Sequence, residues 1–125
     1  MIDHTGIGAA DVVRSGVFYD SVLGALGHRH VAQMPEDVGT DGIGYGRDYP
    51  IYWADRFHPH SMGQHVAFVA RSRAEFDAFY QAALKSGRKD NGPPGLRGGG
   101  YPQGYYATFV FDPDGNNIEA VCREI

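Results

Sequence analysis

His4, His65 and Glu119 are the residues of this 125-residue chain whose types and placement could do chemistry together. Imidazole nitrogens and a carboxylate can hold Zn, Fe(II), Mn, Ni or Co and still leave coordination positions open. A divalent ion so held polarises a carbonyl, stabilises an enediolate or activates oxygen. His4 and His65 stand 61 residues apart, and the same offset lays Asp11 on Ser72, Phe18-Tyr19 on Phe79-Tyr80 and Leu23 on Leu84. An ungapped offset that matches residue types this often argues for an internal duplication. Glu119 enters by alternation. In the run Ile118–Cys122, Ile118, Ala120 and Cys122 share a face suited to packing on a helix, and Glu119 projects from the other. Taken singly, each histidine also reads as a hydrogen-bonded core residue and Glu119 as a solvated one. Their equivalent placement in two repeats favours the metal.

Other residues compete for roles. His58-Pro59-His60 places alternate histidines in a polar loop, but with no carboxylate partner such histidines more often face solvent. Aromatic residues gather at Tyr52-Trp53 and from Tyr101 to Phe111, where they suit the wall of a small-molecule cup. Tyr52, Trp53, Tyr101 and Tyr105 are the candidate substrate contacts, and Glu119 and Asp55 the candidate catalytic groups.

The positioning elements follow from pattern. Tyr105–Phe111 is aromatic and β-branched, Asp112-Pro113-Asp114-Gly115 is turn chemistry, and Ile118–Cys122 returns as a strand, which together make a hairpin. Earlier, Ile2–Ala9 reads as a strand with His4, Gly6 and Gly8 on one face, and Asp11 caps a helix carrying Val12, Ser15, Tyr19, Val22, Leu23 and Leu26 at helical spacing. Gly24 and Gly27 are expected to close it. Arg29–Met34, Ile43–Gly46 and Ile51–Ala54 are short strands between Gly-, Pro- and Asp-rich turns. After the polar loop Asp55–Gly63 the order recurs: strand Gln64–Ala70, capping box Ser72–Glu75, and a helix presenting Phe76, Phe79, Tyr80, Ala83 and Leu84. Each half therefore reads β-α-β-β-β, within one domain spanning residues 1–125 and repeating over 1–55 and 64–122. The expected class is α+β: two βαβββ modules forming one cupped mixed sheet, helices outside, all three candidate ligands pointing inward. Lys89–Gln103 is too rich in Gly and Pro for a central strand, and reads as an irregular connection with a short edge strand, or as a flap tipped by Tyr101.

HTGIGAADVVRSGVFYDSVLG, GQHVAFVA and FVFDPDGNNIEAV together resemble the vicinal oxygen chelate superfamily, which includes glyoxalase I, extradiol dioxygenases, fosfomycin-modifying enzymes and bleomycin-resistance proteins. The resemblance spans essentially the whole chain and implies the paired βαβββ fold, with His4, His65 and Glu119 matching metal ligands. Glyoxalase I has a further glutamate on the last strand of its first module, where this chain has Ile51-Tyr52-Trp53-Ala54-Asp55, and an arginine for glutathione where this chain has Gly8. The glutathione hemithioacetal of methylglyoxal is therefore expected to be a poor substrate. Two readings follow: a metal-dependent lyase- or dioxygenase-like enzyme for a small oxygen-rich substrate, or a metal-free, bleomycin-resistance-type binder of small molecules.

The bulk numbers exclude other classes. A net charge of −4, with 11 basic residues scattered singly, gives no nucleic-acid stripe. The single cysteine, Cys122, rules out an internal disulfide, suits a reducing cytoplasm, and on the Ile118 face reads as a buried thiol. No apolar run reaches a membrane span, and the N-terminus lacks the pattern of a signal peptide. Edge strands that need cover suggest a two-fold homodimer.

Overall fold

The computed structural model describes residues 1–35 and 41–123. In order it runs β1 (Thr5–Gly8), α1 (Val12–Ala25), β2 (Arg29–Met34), β3 (Gly42–Gly46), β4 (Pro50–Asp55), β5 (His65–Val69), α2 (Arg73–Lys85), β6 (Gly95–Leu96), β7 (Tyr105–Phe111) and β8 (Asn117–Arg123). The turn expected between Met34 and Ile43 lies partly outside the described residues. The strands form two four-stranded mixed sheets, ordered β1-β4-β3-β2 and β5-β8-β7-β6. The βαβββ order and the α+β class are as expected. Hydrogen bonding, however, divides the strands into two ladders where one continuous sheet was expected.

The registers repeat residue for residue. β1 lies parallel to β4 with Thr5 opposite Tyr52 and Gly6 opposite Trp53. β5 lies parallel to β8 with Val66 opposite Ile118 and Ala67 opposite Glu119. The backbone bond Ala9 N–H to the Asp55 carbonyl, 2.7 Å, recurs as Ala70 N–H to Val121, 2.8 Å. Among the described residues, the strand at the end of this parallel pair in each sheet, β1 or β5, has a partner on one side only.

Both helices start as their caps dictate: Asp11 accepts from Arg14 N–H, and Ser72 from Glu75 N–H. They end at Gly27 and Gly87, whose φ of +80° and +75° belong to the left-handed region that Gly enters without strain. Gly24 lies inside α1 and does not terminate it. The α1 face is buried as its spacing requires, with Tyr19, Val22, Leu23 and Leu26 all fully covered. On α2, Phe76, Phe79 and Ala83 are buried, but Leu84 is 38% exposed, so it lies off the packed face.

The DPDG turn joins the modules. Asp112, 2% exposed, accepts from the backbone N–H groups of Asp114 and Asn116, both at 2.9 Å, and from Tyr19 Oη of α1 at 2.7 Å. Tyr52 Oη in turn donates to Tyr19 Oη at 3.0 Å. Arg14 adds a bond to the Pro113 carbonyl, 2.9 Å. A buried carboxylate with four donors is stable where a bare one would be costly. The DPDG turn thus serves packing between modules, and among the described residues it is not part of the wall of the cavity that His4 lines.

Candidate functional site

β8 presents Ile118 and Ala120, both 0% exposed, to the core, and turns Glu119 to the opposite face. Glu119 is nonetheless only 2% exposed, because Tyr105 and His65 cover it. Tyr105, at the start of β7, donates to Glu119 Oε1 at 2.7 Å, and His65 Nε2 lies 3.1 Å from Oε2. The Tyr101 ring leans on Tyr105, centroids 5.1 Å apart. Burial, then the bond to Glu119 and its charge, push the Tyr105 phenol up to about 12, so it stays a donor at neutral pH.

The far side of His65 is also occupied. Its Nδ1 lies 3.1 Å from both the carbonyl oxygen and the side-chain nitrogen of Asn117. Asn91 donates to Asn117 Oδ1 at 3.1 Å, which turns the Asn117 amide nitrogen toward the ring. With Nδ1 accepting there, Nε2–H donates to Glu119. With Nδ1–H donating to the carbonyl, a proton or cation must lie between Nε2 and Oε2. The pair thus fits a metal ion as a nitrogen and an oxygen donor, and is also self-sufficient without one.

His4 is elsewhere. It precedes β1, its side chain is 55% exposed, and its Nδ1 bonds Asp3 Oδ1 at 2.6 Å. Tyr49 donates to the same oxygen at 3.1 Å, and both bonds, the histidine's first, hold Asp3 below the ordinary carboxylate range. Among the described residues no three His, Cys, Asp or Glu side chains gather as a metal site. The convergence expected of His4, His65 and Glu119 is therefore not met within one chain. His65 and Glu119 meet on the second sheet, while His4, just before β1, lines the cavity of the first.

The first sheet has its own feature, a cavity of about 570 Å³ lined by His4, Trp53, Tyr49, Phe57, Asp55 and His58 among others. Trp53 fits there because Gly44 leaves space: a Cβ on Gly44 would come within 3.0 Å of the indole ring. Gly8 is equally constrained, since a Cβ there would lie 2.3 Å from the Pro59 carbonyl oxygen. The backbone of the His58-Pro59 loop occupies the space any longer side chain at position 8 would need. Tyr52 does not belong to this wall. It faces the helix, 1% exposed, edge-on to Phe68 at 5.0 Å and bonded to Tyr19, so it is a core residue and not a substrate contact. Burial pushes its phenol above the usual range.

Asp55 and His58 form a pair the sequence reading passed over. Asp55, 5% exposed, accepts at Oδ1 from the backbone N–H groups of Phe57, 3.0 Å, and His58, 3.1 Å. The His58 ring adds Nδ1 at 2.9 Å from Oδ1 and 3.1 Å from Oδ2. The available signal was the three-residue spacing from a carboxylate that ends a strand. It was obscured because the loop alone reads as solvated.

The chain matches the model of the Glyoxalase/Bleomycin resistance protein/Dioxygenase superfamily over residues 1–120. It belongs to that superfamily. A glyoxalase/bleomycin resistance protein from Albidiferax ferrireducens T118 is 29% identical over 99% of both chains, with a TM-score of 0.78. Lactoylglutathione lyase from Agrobacterium tumefaciens, 20% identical over 98% of this chain and 92% of its own, superposes at 0.69. A fosfomycin resistance protein from Mesorhizobium loti, 15% identical over 100% and 93%, superposes at 0.65. The last two likenesses concern the fold. A search of curated proteins gives no match. Among the described residues no helix is long and apolar enough to cross a membrane.

Proposed function

We propose that this single-domain chain is a divalent-metal-dependent, glyoxalase- or dioxygenase-like enzyme acting on a small oxygen-rich molecule, and that its site is completed between two copies. The observation that carries this reading is the separation of the donors: His65 and Glu119 stand 3.1 Å apart on one sheet, with His4 in the cavity of the other. The unpaired edges of β1 and β5 support a two-fold dimer in which the first sheet of one copy faces the second sheet of its partner. His4 of one chain would then join His65 and Glu119 of another. A bound ion would act as a Lewis acid on a substrate oxygen. Tyr105 holds the Glu119 carboxylate in place and remains protonated to do so. Tyr101 covers that phenol, and Trp53 and Phe57 supply apolar walls that exclude water from the reacting end. A chain of this kind is at home in the cytoplasm.

The test is complementation. His4→Ala and Glu119→Gln proteins, each expected to lose metal, are unfolded together and refolded as a mixture. In mixed dimers both defects fall in one site and the other is intact. About a quarter of wild-type metal should return, the statistical yield of one good site in half of the dimers. No return, with each protein alone still dimeric, would overturn the shared site. Sedimentation showing only a 13.7 kDa species would remove the dimer.

The second reading is a metal-free binder of small molecules of the bleomycin-resistance type. It is favoured by one specific observation: the large cavity is walled by aromatic side chains and stands apart from the His65–Glu119 pair. Protein purified without chelator and found free of metal would favour it.

A further inference from the structure

The Asp55–His58 pair is not used by the metal reading, and its geometry has a chemistry of its own. The carboxylate is behind and the imidazole in front: the Asp55 side chain is 7% exposed and that of His58 73%. Two backbone N–H groups pin Asp55 in place, so the carboxylate cannot turn away from the ring. A carboxylate that only accepts takes the hydrogen bond from His58 Nδ1–H, and the neutral ring then presents the lone pair of Nε2. This is the relation of a general base to its orienting acid. The ring lies at a cavity whose other walls are Trp53, Phe57, Tyr49, Met34 and Pro50, surfaces that take a flat aromatic body.

We propose that this cavity binds planar aromatic molecules bearing an acidic O–H, and that His58, oriented by Asp55, accepts their proton. The O–H bond of the ligand breaks and its proton bonds to His58 Nε2. The ligand keeps the electron pair as an oxyanion, facing an imidazolium whose Nδ1–H remains on Asp55. No other reactant is needed. The inference rests on the reading above for its cavity, whose Trp53 and Phe57 walls it shares, but it needs no ion, so protein stripped of metal tests it separately.

Chelator-treated protein and 4-nitrophenol provide the test. Trp53 is the only tryptophan in the chain and lines the cavity, so its fluorescence reports occupancy directly. Saturable quenching in the millimolar range suited to so small a ligand is expected. It should be accompanied by visible phenolate absorbance in excess of that of the same amount of free 4-nitrophenol at the same pH. His58→Gln should keep the quenching, because the walls remain, and reduce phenolate formation on the order of tenfold, one pKa unit of anion stabilisation. Asp55→Asn preserves acceptors for the turn but removes the charge. It should lower phenolate formation in the same direction and shift the ring nitrogens of His58 in ¹⁵N spectra. His60→Gln, a neighbouring exposed histidine, should change nothing. Absence of saturable quenching would overturn the proposal. So would a phenolate signal unchanged in His58→Gln, or one lost only in His4→Gln.

Discussion

Opposite Gly6 in the first module stands Trp53, and opposite Ala67 in the second stands Glu119. The two backbones agree to the residue at these places, yet one carries an indole on an open cavity and the other a buried carboxylate under a tyrosine. Their histidines differ as well. His4 is held by an exposed aspartate, and His65 by a strand carbonyl and an amide that Asn91 orients. A duplicated scaffold therefore does not duplicate the site. The fold fixes positions on the inner face, and the side chain placed there decides whether that module supplies donors or a binding wall.

The largest effect expected from this asymmetry is alkaline. Burial holds the phenols of Tyr19, Tyr45 and Tyr52 above their ordinary value, and all three belong to the first module. In the unfolded chain they release protons near pH 10, while the folded chain retains them. Stability from this source is complete below about pH 10 and is lost as pH rises past it. Unfolding above that pH should coincide with a step in phenolate absorbance, and Tyr52→Phe should move the step upward. A first module that outlasts the second in alkali would reverse the comparison.

Next in size, the two faces of β8 should separate. Ile118→Ala opens a core cavity and should cost about 2–5 kcal/mol in urea denaturation. Glu119→Gln, one residue along, keeps an acceptor for Tyr105 and should fold nearly as well, but lose metal on dialysis. Equal stability losses would mean that Glu119 serves packing alone.

Tyr19→Phe cuts the link between modules, leaving Tyr52 Oη without its acceptor and Asp112 without one donor. A loss of about 1–3 kcal/mol is expected, read from chemical denaturation. Preserved stability would show that the link is dispensable.

The smallest effect sharpens the comparison most. Trp53→Glu gives the first module the residue type that the second has at the equivalent position. If the sites are shared between copies, divalent-ion affinity should rise roughly tenfold, about 1.4 kcal/mol, by calorimetry. Affinity should also fall in acid, where imidazole is protonated and no longer coordinates.

What the sequence determined by itself was local. Capping residues placed both helices, because Asp11 and Ser72 satisfy donors a few residues away. Alternation on β8 separated Ile118 from Glu119, because strand geometry leaves no other choice. The superfamily was legible for the same reason, since its motifs lie within continuous stretches such as the DPDG turn. Tyr52 shows the limit. Its neighbour Trp53 looks alike in sequence, but only the packing of α1, with Tyr19 waiting above β4, decides that one phenol is core and one indole is wall. The tertiary structure also decided that His4 stands apart from His65 and Glu119. Residues on two sheets meet according to how those sheets are placed, and no spacing along a chain encodes that distance. Asp55 and His58 were each singled out in the sequence but their pairing was not, because a loop histidine is held in one orientation only when its carboxylate is buried, and burial is a property of the whole fold.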